Sequence, residues 1–169
     1  LMYRLQIVKL EAVRLAAGGS GANSSAIRSA HRPRATLSNA DLYDASLDFA
    51  VLLYTDLTHA NLTSADLYFA DLRYADLRYA NLTSANLSYA DLTGANLSNA
   101  DLYDASLDFA VLLYTDLTNA NLTNADLYFA DLRYADLRYA HLTNANLSYA
   151  DLTSANLSYP SLPSTIHAP

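Results

Sequence analysis

"ADLYFADLRYADLRYANL", Ala65–Leu82, carries leucine at every fifth position and alanine two residues before each leucine. This beat suits neither regular element. Five residues along an α-helix advance about 500°, roughly 140° net, so successive leucines spiral round the rod without forming a buried stripe. Along a flat strand side chains alternate with period two, so an odd spacing sends successive leucines to opposite faces. The leucines share one interior only if the chain turns a corner once per unit. Each unit is then a very short strand plus a bend. Alanine and leucine, two apart, point inward, and the Asp or Asn between them points to solvent.

The same unit, A-[D/N]-L-x-x, runs from Leu37 to Leu162 without missing a leucine; Thr55, Thr115 and Pro160 replace the alanine. A longer repeat lies over it. Residues 38–97 return at 98–157, changed only at His59/Asn119, Ser64/Asn124, Asn81/His141, Ser84/Asn144 and Gly94/Ser154. Such a repeat reads as a recent duplication of one block. Its sixty residues allow three coils of twenty or four of fifteen. A shift of twenty aligns Phe49, Phe69, Tyr89, Phe109, Phe129 and Tyr149 in one aromatic column, whereas a shift of fifteen sets Phe49 against Ser64. Stacked coils favour like over like. The spacing therefore predicts four sides and twenty residues per coil. The rod is roughly 30 Å long at about 4.8 Å per coil. Leu42, Leu47, Leu52, Leu57, Leu62, Leu67, Leu72, Leu77 and Leu82 are its expected core, one leucine to each side.

These residues resemble the pentapeptide repeat family over about Ala35–Ser164. The resemblance implies an all-β fold, a right-handed four-sided parallel β-helix with the small residue and the leucine inside. Some members place phenylalanine at the central position; here leucine fills every one. Relatives include proteins that protect or inhibit DNA gyrase by imitating duplex DNA, and others from cyanobacteria and plastids. The family fixes fold far better than function.

The flanks read differently. Residues 1–17, "LMYRLQIVKLEAVRLAA", place Leu1, Leu5, Val8, Ala12, Leu15 and Ala16 on one stripe and predict a short amphipathic helix. Residues 18–34 read as a flexible basic linker, 35–164 as the repeat body and 165–169 as a tail. Three prolines in Pro160–Pro169 would blunt a ladder edge, since proline brings no donor. The leader carries six cations against Glu11, while the remainder carries sixteen Asp against four Arg. An amphipathic, Arg- and Ser-containing, acid-poor leader is consistent with an organellar transit peptide, and the compartment stays open. No cysteine is present, which excludes disulfides and thiolate metal sites. No stretch approaches the ~20 apolar residues of a membrane span.

Catalysis finds little support. Of the four histidines, His59 and His141 become Asn in the other copy, and His31 and His167 lie in the flanks. No calcium-loop pattern appears among the aspartates, so neither cofactor nor metal is expected. The sequons at Asn61, Asn81, Asn86, Asn96, Asn121, Asn146 and Asn156 arise automatically from A-N-L-[S/T]. Arg73, Arg78, Arg133 and Arg138 each follow an Asp by two residues, which predicts local pairing, and the acidic body argues against direct nucleic-acid binding. Two patches, Val51, Leu53 and Tyr54, and Val111, Leu113 and Tyr114, stand three coils apart as candidate contact surface. The leading expectation is a non-catalytic structural or protein-binding scaffold, self-associating end-to-end or laterally into fibres. The alternative is an acidic mimic of duplex DNA acting on a gyrase or related topoisomerase, although "STIHAP" offers no counterpart to the C-terminal helix that joins the DNA-mimicking relatives as dimers.

Overall fold

The computed structural model describes residues 36–161. The expected N-terminal helix, the linker and the 165–169 tail lie outside them. Within them the chain is a right-handed four-sided β-helix. Every bridge is parallel and joins a residue to the one twenty positions later, from Thr36↔Asp56 to His141↔Ser161. Twenty residues therefore complete a coil, and the aromatic alignment read from the sequence chose the correct one of the two periods.

The four faces are named here by their bridging columns. Face 1 runs through Asp41, Asn61, Asn81, Asp101, Asn121 and His141. Face 2 runs through Ser46, Asp66, Asn86, Ser106, Asp126 and Asn146. Face 3 runs through Val51, Asp71, Asp91, Val111, Asp131 and Asp151. Face 4 runs through Thr36, Asp56, Asp76, Asn96, Asp116, Asp136 and Asn156.

Main-chain hydrogen bonding explains the unit. The leucine N–H donates up to the carbonyl nineteen residues on, as Leu62 N does to Asn81 O at 2.7 Å. The N–H two residues after the leucine does the same, as Ser64 N does to Thr83 O at 2.9 Å. The Asp or Asn N–H donates down, as Asn61 N does to Ala40 O at 2.9 Å. The alanine N–H closes the bend onto the preceding leucine carbonyl, as Ala65 N does to Leu62 O at 3.0 Å. One amide remains, that of the residue just after leucine. It donates to Oδ1 of the Asp or Asn two positions before it, at 2.9 Å for Ser98 N to Asn96 and 3.1 Å for Tyr128 N to Asp126. Every Asp or Asn in that place within the described residues accepts in this way. This side-chain-to-backbone closure is the Asx turn. The repeat favours Asp and Asn because a fifth amide needs an acceptor.

The bend has a second requirement. The second residue after each leucine has φ near +57°, from Asn39 at 58° to Tyr159 at 60°. With the i→i+3 bond from alanine to leucine, this is the pattern of a type II turn. Gly94 and the Asn residues at 39, 99, 119, 124 and 144 suit that conformation; Phe and Tyr do not. Each non-glycine residue held there costs on the order of 1–3 kcal/mol. Burial of the leucines offsets it at roughly 1.5–3 kcal/mol each. From Leu42 to Leu142 every leucine of the five-residue series is at most 3% exposed. The alanines fill the remaining width of the tube and are equally buried through most of the rod.

Val51 and Val111 occupy the Asx position without an acceptor. Val111→Asn supplies one for Leu113 N–H and sets a carboxamide above Asp91. It should raise stability by about 1 kcal/mol, read as a shift in the urea midpoint at unchanged m-value.

Candidate interaction surface

The αL corner residues of one column stack ring upon ring. On the corner after face 2, Phe49–Phe69 centroids lie 5.5 Å apart at 2°, Phe69–Tyr89 4.9 Å, Tyr89–Phe109 4.9 Å, Phe109–Phe129 5.3 Å and Phe129–Tyr149 4.9 Å. The six rings keep between 38% and 65% of their surface exposed. Because their faces meet one another along the rod axis, they present their edges to solvent. Tyr68 packs edge-on against Phe49, Phe69 and Tyr89, and Tyr128 does the same for Phe109, Phe129 and Tyr149. Edge-to-face contacts of this kind add about 0.5–1.5 kcal/mol each beyond burial. These two bracing tyrosines went unnoticed in the sequence. A shift of twenty would have found them, since Tyr68 and Tyr128 share the column of Asp48, Ser88 and Asp108.

The corner after face 3 carries a broken stack. Tyr54–Tyr74 lie 5.1 Å apart and Tyr114–Tyr134 5.0 Å apart. Between these pairs stands Gly94, at φ +66°, where a Cβ would come within 2.6 Å of Tyr74 Cε1. The Tyr74 ring leans over the space that glycine leaves. The two apolar patches lie here. Val51 and Tyr54 are each 47% exposed and Tyr114 is 60% exposed, while Leu53, Val111 and Leu113 are half-buried. Leucine just after the core leucine lies partly against the wall, so tyrosine offers most of the free surface in each patch.

Charge is divided by face. Arg73 donates Nε to Asp71 Oδ1 and Nη2 to Asp71 Oδ2, both at 2.8 Å, and Arg133 repeats this with Asp131 at 2.8 and 2.7 Å. Arg73 Nε also stands 3.7 Å from Asp91, and Arg133 Nε 3.7 Å from Asp151. On face 4, Arg78 clasps Asp76 and Arg138 clasps Asp136. The four arginines of the described residues thus belong to faces 3 and 4. Among the described residues, faces 1 and 2 carry Asp41, Asp44, Asp48, Asp66, Asp101, Asp104, Asp108 and Asp126 and no arginine. There the coils are tied instead by carboxamides: Nδ2 of Asn61, Asn86, Asn121 and Asn146 donates to Asp41, Asp66, Asp101 and Asp126 respectively, at 2.9–3.1 Å. Four sequon nitrogens are therefore already engaged.

Among the described residues no cluster of His, Cys, Asp or Glu forms a metal site, and no helix is long and apolar enough to cross a membrane. His59 stacks on Tyr79 at 4.9 Å, and His141 Nδ1 lies 3.5 Å from Ser161 Oγ. His31 and His167 fall outside the described residues.

The guanidinium hydrogen bonds hold the carboxyls of Asp71, Asp76, Asp131 and Asp136 below the usual carboxylate range. The Thr153 hydroxyl does the same for Asp151. A carboxyl depressed in the folded state contributes stability above its unfolded pKa and loses it as pH falls through the folded value. The melting temperature should therefore drop as pH falls below about 4. The double variant Asp71→Asn, Asp131→Asn should lose less over that interval, by calorimetry at pH 6 and pH 3. The pairs are exposed, so the difference will be small and salt-sensitive.

The family profile described as pentapeptide repeats matches in 8 copies, over residues 34–63, 65–102, 100–138 and 125–159. The search of curated protein sequences found no match. Among solved structures, the chain is similar to HetL of the cyanobacterium Nostoc sp. strain PCC 7120, a pentapeptide repeat protein involved in heterocyst differentiation regulation. The two are 40% identical with a TM-score of 0.76, over 79% of this chain and 62% of that one. The chain thus spans somewhat under two thirds of HetL. It is also similar to Rfr23 of Cyanothece 51142, at 36% identity and a TM-score of 0.53, over 54% of this chain and 63% of that one. A trypsin-treated variant of QnrB1, a plasmid-mediated fluoroquinolone resistance protein, shares the fold at 18% identity and a TM-score of 0.52, over 76% of this chain and 79% of that one. With the profile covering most of the coils whose hydrogen bonding is described above, the chain belongs to the pentapeptide repeat family.

Proposed function

We propose that this chain is a non-catalytic scaffold that binds a protein partner, or further copies of itself, through its side columns. The observation that supports this reading most is the six-ring ladder along the corner after face 2, half-exposed over nearly the whole described length. A continuous apolar strip of that kind is an interaction surface. The tyrosine corner after face 3 adds a second strip with a three-coil repeat, which suits a repeated or symmetric partner. The involvement of HetL in regulation accords with a role in binding. The specific version is lateral association of rods, with fibres as its extended form.

Phe69→Asn and Phe129→Asn test it. Asparagine accepts the αL corner more readily than phenylalanine, so these variants remove ring surface without straining the turn. In sedimentation velocity the unaltered chain should show species heavier than the 18.4 kDa monomer. The double variant should shift toward the monomer. A strictly monomeric unaltered chain at high concentration would refute self-association.

A second reading is an acidic mimic of duplex DNA that occupies the basic groove of a gyrase or related topoisomerase. It is supported by faces 1 and 2, which among the described residues carry eight Asp and no arginine. A supercoiling assay decides it. The mimic should inhibit or protect gyrase at micromolar protein, and substituting Asp44, Asp48, Asp104 and Asp108 by Asn should abolish the effect. No effect of the unaltered chain removes this reading.

A further inference from the structure

One-electron oxidation of this chain has one main target. The sequence holds 14 tyrosines, no cysteine, no tryptophan and a single methionine. The β-helix sorts the tyrosines by what lies one coil away. Three pairs set phenol over phenol. Tyr54–Tyr74 centroids lie 5.1 Å apart at 10°, Tyr114–Tyr134 5.0 Å apart at 18° and Tyr139–Tyr159 5.5 Å apart at 8°. The first two pairs stand on the corner after face 3, the third on the corner after face 4. Their six rings are between 47% and 79% exposed, open to an oxidant in solution.

The other stacked tyrosines lack such a neighbour. Tyr89 stacks between Phe69 and Phe109, and Tyr149 stacks on Phe129; phenylalanine has no hydroxyl to oxidise. Tyr79 stacks on His59. Tyr43 and Tyr103 share a column, but Thr63 and Thr83 stand between them. In the three phenol pairs the backbone fixes the approach. The lower tyrosine N–H donates to the carbonyl just before the upper one: Tyr54 to Arg73 at 3.0 Å, Tyr114 to Arg133 at 3.1 Å and Tyr139 to Ser158 at 3.1 Å. Joining two ortho carbons requires the rings to turn from face-to-face to edge-to-edge. That rotation is about the Cβ–Cγ bond, a torsion with a broad two-fold profile, and exposed side chains turn quickly. The held backbones give each phenol a higher effective concentration at its neighbour than at another chain.

We propose that Tyr54–Tyr74, Tyr114–Tyr134 and Tyr139–Tyr159 are modification sites, at which a one-electron oxidant, such as a haem peroxidase consuming hydrogen peroxide, couples each pair into a dityrosine bridge. Each phenol loses one electron and its hydroxyl proton, leaving two phenoxyl radicals. One C–C bond forms between an ortho carbon of each ring. The hydrogen on each of those carbons leaves as a proton while each oxygen takes one up, which restores both phenols. One peroxide is reduced to two waters, and the chain loses two hydrogen atoms per bridge. Each bridge is a covalent rung between neighbouring coils and restricts the unfolded chain. The rung at Tyr159 ties down the last described coil, where Leu147, Leu152 and Leu157 are only partly buried.

Peroxidase and hydrogen peroxide applied to the dilute full chain test this. Dityrosine fluorescence should appear in the monomer band of a denaturing gel, with a mass loss of two hydrogens per bridge. Trypsin cuts after Arg73 and Arg133, so bridged digests should join the peptide holding Tyr54 to the one beginning at Tyr74, and the peptide holding Tyr114 to the one beginning at Tyr134. The urea midpoint should rise on oxidation. The variant Tyr74→Phe, Tyr134→Phe, Tyr159→Phe keeps the rings, since Phe49 and Phe69 already occupy this corner position, and removes one phenol from each pair. It should lose the monomer-band fluorescence and the rise in midpoint. Dityrosine confined to species heavier than the monomer overturns the proposal. Bridges mapped only to the edge-on pairs Tyr68–Tyr89 and Tyr128–Tyr149, or an equal yield in the triple variant, overturn it too.

Discussion

The structure depends on closing the main chain within five residues. A unit this short contains one strand residue and one bend, so it cannot satisfy its amides by strand pairing alone. Two N–H groups point up the rod, one points down, and one closes the turn. The fifth has no backbone acceptor, and the side chain of Asp or Asn provides it from two residues away. The same carboxylate or carboxamide also forms the outer wall, where it accepts from an asparagine in the next coil or clasps an arginine. One residue type thus serves the local turn and the contact between coils. With the amides satisfied, leucine and alanine are free to face inward, and the core forms a continuous column.

The corner residue is where this chain has latitude. Its backbone is fixed in the αL region, and its side chain lies outside the core. Ring stacking at about 0.5–1.5 kcal/mol per pair does not by itself cancel an αL cost on the order of 1–3 kcal/mol. The hydrogen bonds of the turn and the leucine beneath must hold the conformation first. The rings then add to a corner already formed. This explains how phenylalanine, tyrosine, serine, asparagine, aspartate, histidine and glycine all occupy equivalent positions in one rod. Surface character can differ by side at little cost to the scaffold. The corner after face 2 is aromatic, the corner after face 3 is tyrosine interrupted by Gly94, and the corner after face 1 holds only Asp44, Ser64, Ser84, Asp104, Asn124 and Asn144.

Charge follows the same logic. Sixteen Asp make the body acidic, but half of them share faces with the four arginines. Among the described residues the rod therefore has one half with eight Asp and no arginine and one half where four arginines offset half of eight Asp, and the aromatic ladder borders the first. A partner approaching the ladder also meets Asp48 and Asp108, and a basic rim on that partner would complement them.

The five-residue spacing of leucine by itself determined that the chain coils, because no helix or flat strand can bury residues at that interval. The aromatic column by itself chose twenty residues per coil, because rings repeat over rings only at that shift. Residues 38–97 and 98–157 showed the duplication outright. The reason for Asp or Asn before each leucine was not legible, since the amide it satisfies belongs to a turn whose geometry the sequence does not state. The αL corners were partly legible in Gly94 and the asparagines and hidden by Phe49, Tyr54 and their equivalents, which propensity alone would keep out of that conformation. Only the tertiary structure decided that the ladder rings present edges rather than faces, that Tyr68 and Tyr128 brace them, and that Leu53 and Leu113 are half-buried. Each of these depends on what lies one coil above or below, twenty residues away along the chain and about 4.8 Å away in space.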